Sequence, residues 1–367
     1  MSRARGSRPA PLRTGGDDDG VNGIRKTVQG LWWAAAMIGL VTLPAFARMP
    51  AARAFDFSPV TKIQLPGAAG HGDWVAYDPT THAMYIALHK SGVAVVDTVR
   101  NRVLAEVQPI ADPNGIAYDR AYLYVASGSG NELVVVRKAG WQIVGRVPTK
   151  GKTPDGVWVD APKHLVLVSS DDQNWVEAYR AGAHPRWLAT YPLEPNTPKS
   201  GPDVGVLVPS LGVLYMPDDA MVEALNIDTG KVTTSVDTGV PVTKTGGTKN
   251  MVYDPIRNLL WVGTTAHKTL VLDATTLKTV ATVPARGGAD ELAFDPALRL
   301  VYAFEGSAKG FDVYNADTLR PVIFVSTGVG NTHTGAVDLS NDRVYAYEGD
   351  ADAVGVYTPF GEAGTAK

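Results

Sequence analysis

None of the 367 residues is cysteine. Disulfide stapling, thiolate nucleophiles and c-type haem attachment are therefore excluded, and any metal would have to be held by nitrogen or oxygen. Charge is sparse, with Asp, Glu, Lys and Arg at 19% of the chain. No apolar run reaches the roughly twenty residues that cross a bilayer as a helix. The sequence also lacks a G-x-S-x-G elbow, a G-x-x-x-x-G-K-[ST] phosphate loop and an H-E-x-x-H zinc pair, so the compact catalytic signatures are missing. Gly128-Ser129-Gly130 reads as a turn and not a phosphate cradle, because no helical pattern follows it.

What is present begins with a leader. Arg25 and Lys26 precede the apolar run Leu31–Leu43, and the small-residue sites Ala45-Phe46-Ala47 and Ala52-Arg53-Ala54 follow it. That order is the one found in a secretory signal. The sequence predicts a signal peptide and leader over 1–54, a Sec-type route because no twin-arginine pair precedes the run, and a periplasmic or secreted mature protein. An uncleaved N-terminal anchor is the competing reading. Without residues 1–54 the chain keeps 26 basic and 34 acidic side chains, a net charge of −8 against −3 for the whole. A chain this acidic, with no basic face in its pattern, is a poor partner for nucleic acid. It is expected to be a monomer with no membrane span once the signal is removed.

The 38 glycines and 25 prolines are spread along the rest, as many short strands and tight turns require. A short apolar strand ending in Asp (once in Pro) recurs at Tyr77-Asp78, Tyr118-Asp119, Val159-Asp160, Val208-Pro209, Tyr253-Asp254, Phe294-Asp295 and Val337-Asp338. Three further strand patterns follow most of these, such as Leu260-Trp261-Val262-Gly263, Leu270-Val271-Leu272-Asp273 and Thr279–Val283. Seven units of four short strands with two-residue alternation describe an all-β, seven-bladed β-propeller over residues 55–360. The seventh unit stops one strand short, and Val60–Leu65 at the other end of the domain is expected to supply it and close the ring. Residues 361–367 read as a disordered tail.

These units resemble the YVTN-type β-propeller repeat of YncE-like exported bacterial proteins. Leu123-Tyr124-Val125-Ala126-Ser127, Val301-Tyr302-Ala303, the turn Ile227-Asp228-Thr229-Gly230 and the strand starts Pro113-Asn114-Gly115 and Pro154-Asp155-Gly156 carry the likeness. The resemblance implies a fold and not a chemistry, since propellers host binding proteins, lactonases, lyases and redox subunits. The unit around Pro209 departs most, and the connection before it, Tyr191–Pro202, contains four prolines.

Propeller topology brings the loops that lead into the innermost strands to one mouth of the central channel, the default ligand site. His71, Asp73, His89, Asn114, Asp155, Asp203, Asn250, Asp290, Glu291 and His333 are the candidate ligand-binding residues there. The bland reading is that Asp and Asn only close turns. The sharper one is a ring of carboxylate, amide and imidazole groups. Its oxygens suit Ca²⁺ or Mg²⁺, and added histidine favours Zn²⁺ or Cu²⁺. The candidate ligands are Asp73, Asp155, Asp290, His71 and His333. Three functions follow. The first is a module of the cell envelope that binds a protein or small-molecule ligand. The second is a metal-dependent hydrolase or lyase of lactonase type, with Asp203 and Asn250 added to the carboxylates. The third is an accessory of a periplasmic redox system. Trp175, beside Asp171-Asp172-Gln173-Asn174, marks the one loop singled out for an unusual role.

Overall fold

The computed structural model describes residues 55–66, 71–194, 201–244 and 246–360. The predicted leader and tail lie outside the described residues. Seven four-stranded antiparallel sheets make up the domain, one per repeat, and the described residues contain no α-helix. The innermost strands are Gly72–Asp78, Pro113–Tyr118, Pro154–Asp160, Val206–Val208, Thr248–Asp254, Glu291–Asp295 and Gly335–Asp338. The fourth is the shortest because Pro209 ends it, having no N–H to give the ladder.

Burial follows position in the blade. In blade 1 the two middle strands, Ala83–Leu88 and Gly92–Asp97, are buried at every residue, whereas the outer strand Arg102–Val107 is largely open on one face. A middle strand has a neighbouring blade on each face, so both its side-chain sets are apolar. Seven apolar clusters fill the spaces around the ring. One of them packs Val75, Met84 and Ile86 of blade 1 on Tyr345, Tyr347 and Val354 of blade 7.

Blade 7 takes its fourth strand from the start of the domain. Ser58–Gln64 pairs antiparallel with Ala353–Thr358, with Ile63 opposite Val354 and Thr61 opposite Val356. This is the closure the sequence predicts, shifted by a residue or two. Phe57 extends it by meeting Tyr302 and Phe311 of blade 6 edge-on.

In the six units that have it, the Asp at the end of the innermost strand closes the next turn. Asp78 accepts the Thr80 N–H at 2.9 Å, Asp119 the Ala121 N–H at 2.7 Å and Asp295 the Ala297 N–H at 2.8 Å. Some also tie blades together. Lys138 of blade 2 reaches Asp78, and Arg299 of blade 6 reaches Asp254. Burial works against ionisation of Asp78, but hydrogen bonds from Lys138 and Thr80 hold it down at about 2.

At the opposite face, buried carboxyls hold the connections between blades. Glu177, Glu223 and Asp312 occupy the third position of the third strand in blades 3, 4 and 6. They accept the N–H groups of Gly151 (2.7 Å), Glu194 (3.1 Å) and Arg286 (2.9 Å). Asp218, Glu305 and Glu348 end the second strands and are buried within their blades, so these three are not groups of the mouth. Neither oxygen of Asp218 has a hydrogen-bond partner among the described residues. Burial and then Asp219 raise Asp218 to about 6, and burial and then Asp218 raise Glu223 to about 7. Burial, followed by the hydrogen bond and charge of Asp312, raises Glu305 to about 8.

Two predictions follow from these contacts. Ile63→Ala should cost about 2–5 kcal/mol in urea unfolding, against under ~0.5 kcal/mol for exposed Thr61→Ala. Equal effects would mean that the closing strand does not carry the ring. The second concerns pH. Folded carboxyls that hold protons more tightly than the unfolded chain stabilise fully in acid, and this is lost as pH rises through their folded values. Asp218→Asn should therefore stabilise the protein at pH 8 by on the order of 1–3 kcal/mol and by clearly less at pH 4.5, where the folded carboxyl is protonated. Thermal melts at the two pH values check this, and an equal shift at both would remove the buried charge as the cause.

Candidate functional site

In each unit, one residue sits five places before the residue that ends the innermost strand: Asp73, Asn114, Asp155, Val204, Lys249, Asp290 and His333. The common register brings these seven to the same end of the channel, one per blade. What each does there depends on its partners.

Two of the predicted candidates serve the framework. Asn114 is buried and donates from Nδ2 to the Pro154 carbonyl at 3.0 Å, joining blade 2 to blade 3. Asn250 is 2% exposed. It donates to Val204 O at 3.0 Å and accepts the Leu292 N–H at 2.9 Å, bridging blades 4 and 6. Glu291 is also buried and accepts the Thr334 hydroxyl of blade 7. Burial raises Glu291 well above the ordinary range against that hydrogen bond, and the charges of Asp73 and Asp290 add to the rise.

The remaining carboxylates share a cavity of about 280 Å³, lined by Asp73, Asp155, Asp171, Asp203 and Asp290 together with Lys249 and Lys244. Lys249 Nζ lies 2.7 Å from Asp203 and 3.4 Å from Asp290. Lys249 is itself largely buried, and the charges of Asp203 and Asp290 outweigh that burial and hold its proton more firmly than in water. Among the described residues no cation pairs with Asp155 or Asp171. Asp155 is raised well above the usual carboxylate range by burial, then by the charges of Asp171, Asp73 and Asp203, with Lys249 opposing. Much of Asp171 is open to solvent, yet its carboxyl lines the walled cavity. Loss of hydration, then Asp203 and Asp73, raises it to about 7.

Three histidines form the other side of the mouth. His71 stacks on His333 and lies against His89, with ring centres 4.9 Å apart in both pairs. His89 Nε2 is 3.8 Å from Asp73, and its Nδ1 is 3.4 Å from Asp112. Burial works against protonating His89, but Asp73 and then Asp112 outweigh it, so its pKa rises. The pKa of His71 falls, through burial first and then the nearby His333 and His89, with Asp73 and Asp290 opposing. His333 places Nε2 2.7 Å from Gly72 O and Nδ1 3.1 Å from Asn331 O.

These residues do not form a metal-ligand set as they stand. His333 has both ring nitrogens committed to backbone carbonyls, and Lys249 holds two of the carboxylates where a cation would sit. Among the described residues no group of three or more His, Asp or Glu side chains converges at ligand geometry.

Two residues of the mouth had no place among the ten candidates. Lys249 stands beside the candidate Asn250, and counting back five places from Asp254 picks it out. Asp171 reaches the mouth because Gly201, in the left-handed region at φ +74°, packs against the Asp171 backbone. A Cβ at Gly201 would lie 2.0 Å from the Asp171 carbonyl oxygen. Asp172 and Asn174 of the same loop instead hold backbone groups of Lys152 and Glu194, and Trp175 lines neither mouth cavity.

No protein-family model matches the chain, and no curated protein does. Solved structures match in shape. Hydrazine synthase of Kuenenia stuttgartiensis aligns over 80% of this chain and 96% of the matched chain, with 16% identity and a TM-score of 0.69. A chain of the mitotic checkpoint complex aligns over 89% of this one and 99% of its own length, with 13% identity and a TM-score of 0.69. At these identities the likeness is one of fold, and the chain is a seven-bladed β-propeller, an architecture commonly used as a protein-binding module.

The raised carboxyls give a direct check of the mouth. Carbon-detected NMR titration should find the Asp171 carboxyl changing near pH 7, with the midpoint moving lower in Asp73→Asn, which removes one of the two charges that raise it most. A wild-type midpoint below pH 5 would mean that the cavity does not desolvate and crowd the group.

Proposed function

We propose that the protein is an exported, non-catalytic binding module of the cell envelope, a propeller of the YVTN repeat type. In this reading it engages its partner, a protein or a small ligand, through the mouth of the channel. The leader pattern over 1–54 and the absence of cysteine support export. The observation that carries the binding role is the pair Asp155 and Asp171, two carboxyls of one cavity that make no ion pair among the described residues although Lys249 and Lys244 line the same cavity. Such an arrangement works against the folded state, and groups perturbed in this way concentrate where proteins bind or react. A partner that supplies positive charge relieves the repulsion, so binding recovers free energy that folding leaves unspent.

Two measurements test this. The mature N-terminus, read by mass spectrometry on the chain recovered from its own cells, should follow Ala47 or Ala54. An intact leader on a cytoplasmic chain would sink export. Retention of envelope components on the immobilised protein should fall at least tenfold in Asp155→Asn/Asp171→Asn while the melting temperature holds or rises. Unchanged retention would move the binding surface away from the mouth.

A further inference from the structure

The acidic cavity does not end on a polar floor. Trp74, which lines it, also lines a second cavity of about 430 Å³ that runs between the innermost strands. That cavity presents Ala76, Tyr118, Trp158, Leu207, Met251 and Leu292. Trp74 packs at once against the apolar cluster between blades 1 and 2 and the one between blades 3 and 4. Its indole therefore reaches across the lumen, carboxylates on one side and hydrocarbon on the other. The Trp158 indole, by contrast, is tied down, donating to Gly205 O at 2.9 Å.

Three features of this lumen bear on what fits it. Polarity changes from one cavity to the other, the Trp74 ring lines both, and Asp155 and Asp171 on the acidic side make no ion pair among the described residues. An ammonium or guanidinium gains from carboxylates in a walled site and from an indole face. An apolar body gains by leaving water. An anion gains neither at the mouth, and a bare cation gains only the first. Both volumes are near the lower end of small-molecule pockets, which suits a small amine or a single side chain.

We infer that the lumen takes an amphipathic organic cation, an amine or guanidinium on an aromatic or aliphatic body, with its head between Asp155 and Asp171 and its body on Trp74. This assignment rests on the reading of the mouth as the binding site and adds the chemical class of the ligand. The same chemistry is offered by a free amine and by a basic side chain of a partner.

Calorimetry on the mature protein at fixed ionic strength tests it with three probes: 2-phenylethylamine, ethylamine and 3-phenylpropionate. The aromatic amine should bind at least tenfold more tightly than ethylamine, and the anion should not bind. Asp155→Asn/Asp171→Asn should weaken the aromatic amine at least tenfold. Trp74→Leu should weaken it about fivefold and leave ethylamine almost unchanged, with Trp74→Phe, which keeps an aromatic face, restoring most of the difference. Equal affinity for the two amines, or affinity indifferent to the carboxamide pair, overturns the assignment. The capped dipeptide acetyl-Phe-Lys-amide separates the sources. Tighter binding of the dipeptide supports a partner's side chain, tighter binding of the free amine supports a small molecule, and binding of neither overturns the assignment. If amines fail while retention of envelope components still depends on Asp155 and Asp171, only the ligand class falls. If retention ignores both residues, the binding reading falls with it.

Discussion

Every blade of this protein has a middle pair of strands that is apolar on both faces, and no blade can satisfy that condition alone. The requirement forces stacking, and stacking of twisted sheets brings the last blade back to the first. Ser58–Gln64 then decides the outcome, because it gives blade 7 its fourth strand and so ties the start of the domain to its end. The hydrogen bonds that cross between blades, from Asn114, Asn250, Lys138 and Arg299, refine an arrangement that hydrophobic burial has already imposed.

The mouth follows from the same geometry. Strands that begin in register deliver one side chain per blade to a common rim, and the sequence then chooses among three uses for it. Amides hold the next blade, as Asn114 does. Histidines stack, as His71 and His333 do, and His333 also engages backbone carbonyls. Carboxylates gather around Lys249, in numbers that one ammonium does not neutralise. The first use adds stability, whereas the last works against the folded state and so stands out as a feature kept for another purpose.

The architecture was legible in the sequence because it rests on periodicity and turn chemistry, both local. The terminal Asp of each unit marked the repeat, and the missing fourth strand of the last unit pointed to its substitute. The site was legible only in outline. Nothing local separates Asn114, which holds a carbonyl of the next blade, from Asp155, which faces the cavity, since both stand in a Pro-x-Gly start. Glu305 and Glu348 are acidic residues at strand ends, yet the strands include them and carry them inside. The position of Asp171 depends on a glycine thirty residues later in the chain, a relation that no short pattern records. Trp74 packs on clusters of blades 1 and 2 and of blades 3 and 4, a reach that no local pattern in the sequence records.

The closing strand has a consequence for the order in which the protein is made. Synthesis proceeds from the N-terminus, so Ser58–Gln64 is the first strand of the domain to emerge, and its partner Ala353–Thr358 is the last. For the whole of that interval the ring is an open arc, and Ser58–Gln64, of which only Ile63 is buried in the finished fold, waits unpaired at one end. Blades can form in sequence as they arrive, but the circuit completes only when the chain is finished, which makes the final pairing a proofreading step that truncated chains do not pass.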